Sequence, residues 1–139
     1  MRIREFLAAD EPAVREVWLE TGMASPQRAD TLATIERTIA AGGRLLVLEA
    51  DGALVGTSWL TVDGRRTYLH HFGVRPSHQR RGLGRRLLEE TLAVARVIGL
   101  QVKLEVHRDN AAAVALYRQA GFLRLGDYDI YLLRDPMAR

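Results

Sequence analysis

At 139 residues the chain lies near the commonest size of a single domain, and a hydrophobic fraction of 47% supplies a core without staples. It has no cysteine, which excludes disulfides, thiolate metal sites and an acyl-cysteine intermediate, and its four histidines show no metal-binding spacing. The net charge is +3, but 19 of the 20 basic residues are arginines scattered along the chain, which reads as compositional bias and not as a nucleic-acid surface.

No apolar run is long enough to span a membrane and no leader pattern is visible, so a soluble, cytoplasmic protein without membrane or nucleic-acid partners is expected. In chain order, 2–7 reads as a strand. A helix follows from the Ala9-Asp10-Glu11-Pro12 start, with Asp10 as an acidic N-cap and Val14, Val17 and Trp18 at helical spacing. A second helix is predicted over 29–41, with Leu32, Ile35 and Ile39 on one stripe.

The pattern then changes. Strands are predicted at 45–50 and 54–62 around the Asp51-Gly52 turn, and a third at 67–74 after Asp63-Gly64. A long amphipathic helix covers 82–98. A strand at 101–106, a helix at 110–120 capped by Asn110 and stopped by Gly121, and two short strands at 122–125 and 128–133 complete the chain. The order β-α-α-β-β-β-α-β-α-β-β predicts one α/β domain over 1–139: a mixed, mostly antiparallel sheet with helices on both faces.

The segment most suggestive of chemistry is Gln79-Arg80-Arg81-Gly82-Leu83-Gly84-Arg85-Arg86. Gly82 and Gly84 flank a helix start, where unpaired N–H groups and the dipole favour an anion, and the arginines add charge suited to a pyrophosphate. The same residues also suit a tight strand-to-helix turn followed by a solvated helix face. Their spacing matches neither the dinucleotide nor the P-loop fingerprint.

Gln79, Gly82 and Gly84 match the coenzyme signature of the GCN5-related N-acetyltransferase (GNAT) superfamily, which this sequence resembles. A second block, Asn110 to Phe122 with Ala113, Leu116, Tyr117 and Gly121, resembles that family's N-x-x-A-x-x-L-Y-x-x-x-G-F element. The likeness runs from about residue 2 to 133, and Gly73 fits the family's bulged strand.

The resemblance implies acetyl-CoA as co-substrate and no metal. Phe72 and Val74 would bind pantetheine through their main chain, and the N–H groups of Arg80, Arg81, Gly82, Leu83, Gly84 and Arg85 would hold the pyrophosphate. Asn110 would lie near the coenzyme arm, a role compatible with an ordinary helix N-cap. Tyr117 would protonate the departing thiolate; outside the motif it would read as a core aromatic.

Glu105, His70 and His71 are candidate bases for the amine. Glu105 stands twelve residues before Tyr117, as in the branch acetylating ribosomal-protein N-terminal alanines, though a solvated or arginine-paired strand glutamate fits the position equally. His70 shares strand parity with Phe72 and Val74 and would face the cleft, whereas His71 would face away and be structural. The reaction expected is direct attack of a primary amine in a ternary complex, with the oxyanion met by a main-chain N–H near Val74.

The acceptor is open between a protein or peptide N-terminus and a small-molecule amine (an amino sugar, polyamine, amino acid or drug-like amine). A non-catalytic acyl-CoA sensor is the third reading. The residues 21–43 are expected to line the acceptor side. A monomer and a homodimer are both compatible with the sequence.

Overall fold

The computed structural model describes residues 1–24 and 30–137. They form two compact units, Met1–Glu105 and Val106–Arg139. The predicted start of the second helix, Ala29, lies outside the described residues.

The first unit holds β1 (Arg2–Glu5), α1 (Glu11–Glu20), α2 (Leu32–Ala40), β2 (Arg44–Ala50), β3 (Ala53–Val62), β4 (Arg66–Val74), α3 (Leu83–Ile98) and β5 (Gln101–Leu104). The strands lie in sequence order, β1-β2-β3-β4-β5, with every pairing antiparallel except β4 with β5. Asp51 and Gly52 close the β2–β3 hairpin, both at positive φ (53° and 78°), between the facing pair Ala50 and Ala53. Two left-handed residues in a two-residue loop match the twist of the strands they join.

The run Leu45-Leu46-Val47-Leu48 is apolar throughout because β2 is covered on both sides. Leu45 and Val47 pack with Val14, Val17, Trp18 and Ile35 from α1 and α2, whereas Leu46 and Leu48 pack with Val74 and with Leu87 of α3. Asp10 does not cap α1 through its side chain. Its carboxylate accepts instead from the Leu7 N–H at 2.8 Å and pairs with Arg4, which also reaches Glu49. The Arg4 guanidinium therefore holds the Asp10 carboxyl below its usual range.

The second unit is built on α4 (Ala111–Gln119). Asn110 Oδ1 accepts from the Ala113 N–H at 3.2 Å, and Gly121, at φ 100°, turns the chain out of the helix. The strands predicted at 122–125 and 128–133 do not form among the described residues. Leu123, Leu125, Ile130 and Leu132 are exposed. Their alternation is strand-like, but a strand exists only where a neighbour completes its ladder, and none does so here.

Candidate active site

The β4–β5 ladder ends at Leu69↔Leu104, while β4 continues to Val74. Over that extension β4 carries a bulge: Thr57 faces Gly73 but Trp59 faces His70, so His71 and Phe72 together oppose Ser58. His71 absorbs the extra residue with φ 44°, a left-handed conformation uncommon outside glycine.

The bulge overturns the expected parity of this strand. His70 stands on the α1/α2 face, 6.2 Å from the Trp59 ring and stacked on Tyr68, with Nε2 bonded to Thr61 Oγ1 at 2.8 Å. Val74 and Phe72 belong to the cluster packed under α3. His71, expected to face away from His70, turns to the same side, edge-on to Trp18 at 4.5 Å and Trp59 at 5.4 Å. Strict alternation fails wherever one strand holds an extra residue.

Beyond Val74, Pro76–His78 makes one tight helical turn and leads into the glycine loop. Gln79 Nε2 donates to the Val74 carbonyl at 2.9 Å, so its side chain fastens the loop to the strand end. Arg80 and Gly82 both adopt left-handed backbone (φ 63° and 76°), which brings the chain abruptly to the start of α3 with Gly82 as N-cap. The first intrahelical bond is Arg86 N–H to the Gly82 carbonyl, which leaves the N–H groups of Leu83, Gly84 and Arg85 without helical acceptors. A Cβ built on Gly82 would meet no atom within 4 Å, so it is the left-handed backbone, not space, that calls for glycine here.

The arginines divide. Arg81 Nη1 donates to Asp51 Oδ2 at 3.0 Å, and His78 Nε2 contacts the same oxygen at 3.1 Å. Arg85 and Arg86 lie one turn from Glu89 and Glu90, and Arg80 has no ion pair among the described residues. Asp51 is held below the ordinary carboxylate range by Arg81 first and His78 second. Sequence reading found Asp51 only as a turn residue, because nothing local indicates that a hairpin tip reaches a loop 30 residues away.

Glu105 lies one residue beyond β5, shorter than predicted, so strand alternation does not set its direction; it is exposed and has no ion pair among the described residues. In the second unit Tyr117 is only 8% exposed, and its ring meets Phe122 edge-on at 5.6 Å. Burial pushes its phenol up to about 12. Asn110, the N-cap of the same helix, spends its side-chain oxygen on the cap. Among the described residues no cluster of metal-ligand side chains occurs, and no helix is long and apolar enough to cross a membrane.

A bulged strand end thus leads into a helix whose first N–H groups lack helical acceptors, and the sequence profile of the Acetyltransferase (GNAT) family matches residues 3–122. The chain belongs to that family. It is 49% identical over 79 residues to N-alpha-acetyltransferase RimI of Mycobacterium tuberculosis, a match covering 54% of this chain and 49% of that protein. It is 35% identical over 136 residues to the L-methionine sulfoximine/L-methionine sulfone acetyltransferase of Salmonella typhimurium, covering 88% and 80%. A Salmonella typhimurium acetyltransferase solved with its cofactor acetyl-CoA superposes with a TM-score of 0.73 at 28% identity, covering 88% and 79%. The matched stretch spans about half the length of the RimI relative and 26% of the mycothiol acetyltransferase of Clavibacter michiganensis.

Proposed function

We propose that the chain is an acetyl-CoA-dependent N-acetyltransferase, one domain over 1–139, that transfers acetyl to a primary amine by direct attack in a ternary complex. The observation that carries this reading is the continuous path from the bulged end of β4 through left-handed Arg80 and Gly82 to the N-terminus of α3, whose first N–H groups lack helical acceptors. The family profile supports the single domain, since it runs across both units.

In this reading the N–H groups of Leu83, Gly84 and Arg85, with those of Arg80 to Gly82, hold the pyrophosphate. The dipole end of α3 and the Arg80 guanidinium, which has no ion pair among the described residues, suit that charge. The main chain of Phe72 and Val74 pairs with the amide-bearing pantetheine as a strand would, and a nearby N–H meets the oxyanion. Gln79 contributes by fixing the loop to Val74 through its side-chain amide.

Tyr117 donates its proton to the departing thiolate; a phenol raised to about 12 stays protonated at neutral pH. We assign proton removal from the amine to Glu105, which is exposed and has no ion pair among the described residues, and place His70, bonded to Thr61, second. The acceptor is a protein or peptide N-terminal amine, supported by the RimI likeness. The better-covered methionine sulfone relative favours a second reading, a small amino-acid-like amine.

Thiol release from acetyl-CoA, measured with an alanine-initiated peptide and with L-methionine sulfone, tests both. Release with the peptide alone supports the first reading and release with the sulfone alone the second. Coenzyme binding without release toward any amine of a broad panel would leave an acyl-CoA sensor and overturn the enzyme.

A further inference from the structure

The loop that enters α3 is fastened at two places, and only one of them lies on the strand that feeds it. Gln79 holds the loop to the Val74 carbonyl. The second fastening comes from the tip of the β2–β3 hairpin. Asp51 Oδ2 accepts from Arg81 Nη1 at 3.0 Å and lies 3.1 Å from His78 Nε2, while His78 Nδ1 lies 2.8 Å from Ser77 Oγ. The two partners stand 27 and 30 residues from Asp51 in the chain, on either side of left-handed Arg80. His78 ends the tight turn after Pro76, and Arg81 sits between the two left-handed residues Arg80 and Gly82. A left-handed arginine is a backbone state that its surroundings must hold.

We infer that Asp51 is a positioning residue for the coenzyme: through Arg81 and His78 it holds the 80–85 main chain in the form that presents its N–H groups to the pyrophosphate. The inference rests on the function proposed above, which assigns those N–H groups to that ligand. A carboxylate has no attraction to offer a pyrophosphate, so Asp51 acts only through its two partners. A loop held in its binding form before the ligand arrives loses less freedom on binding. Charge alone gives the opposite sign, since deleting an anion near the site of a polyanion should tighten binding. Positioning requires that the same deletion weaken it, so the sign of the effect distinguishes the two. Asp51 and Arg81 are both largely exposed, which limits the effect to that of a surface pair.

Asp51→Asn is the decisive variant, because asparagine accepts the left-handed backbone of position 51 and removes only the charge. Calorimetric titration with acetyl-CoA at low salt should show an affinity about fivefold below that of the wild type. In an Arg81→Gln/His78→Gln background, which has lost both partners, the same substitution should change affinity by less than about twofold. Amide exchange in the free protein gives a readout that needs no ligand. It should quicken in Asp51→Asn at Gln79 and Arg86, whose N–H groups bond to the Pro76 and Gly82 carbonyls at the two ends of the loop, and stay unchanged through β3.

Unchanged or tighter acetyl-CoA binding in Asp51→Asn would overturn the positioning role. So would a loss that persists in full once Arg81 and His78 have been replaced. A wild-type protein that does not bind acetyl-CoA overturns the function proposed above and, with it, the ligand. The hold on the loop is overturned separately, by unchanged exchange at Gln79 and Arg86 in Asp51→Asn.

Discussion

Tyr117 shows how one residue's surroundings set a testable chemistry. Its phenol is raised because burial disfavours the phenolate, so the protonated form persists up to about pH 12. Tyr117→Phe should abolish most turnover and leave acetyl-CoA affinity near its original value, read by stopped thiol release beside calorimetry. A descending limb of the rate profile near pH 10, the ordinary phenol value, would contradict the assignment unless the limb survives in the phenylalanine variant. The sign for stability follows from the same shift. The unfolded phenol ionises near pH 10 and the folded one about 12, so this contribution is complete below about pH 10 and lost between the two. The phenylalanine variant should lose less stability over that alkaline window. A smaller effect belongs to Asn110, whose removal as a cap in Asn110→Ala should cost about 1 kcal/mol by chemical denaturation.

At the scale of elements, close backbone approaches decide what the sheet tolerates. A Cβ on Gly43 would lie 2.5 Å from the Leu60 carbonyl oxygen and 2.8 Å from that of Thr38, both main chain. Gly43→Ala must therefore move backbone, and a cost of about 1–3 kcal/mol is expected in urea unfolding. Gly82→Ala meets no atom, so its penalty is the left-handed strain alone, roughly 1–2 kcal/mol. Most elements were legible from periodicity and punctuation: both hydrophobic stripes of α2 and α3, the Asp51-Gly52 turn, the Asn110 cap and the Gly121 stop. The failures share one physical origin. Strand parity at His70 and His71, the length of β5 and the last two strands all depend on a partner strand, through a bulge or a missing ladder, and pairing is not written in local sequence.

For the molecule as a whole, the candidate site was legible as motifs and illegible as couplings. Gln79, Gly82 and Gly84 announce the loop, but not that Gln79 is spent on Val74 or that Arg81 is held by Asp51. Likewise His71 reads as an inert strand residue until the fold sets it between two tryptophans and Asp30. A net charge of +3 with several arginines around the α3 N-terminus predicts that acetyl-CoA affinity falls as salt rises. Titrations across a range of potassium chloride concentrations would show it, and salt-independent affinity would remove the arginines from the binding site.

The hairpin tip at Asp51 carries a final consequence, for the genetic code of this loop. Position 51 must accept left-handed backbone and also present a carboxylate to Arg81 and His78. Asparagine meets the first demand and glutamate the second; aspartate alone among the twenty meets both at low cost. In a saturation library selected for coenzyme binding, this exposed turn should show the narrow substitution profile expected of a core position. Its neighbour Gly52, at φ 78°, should be limited by backbone conformation alone.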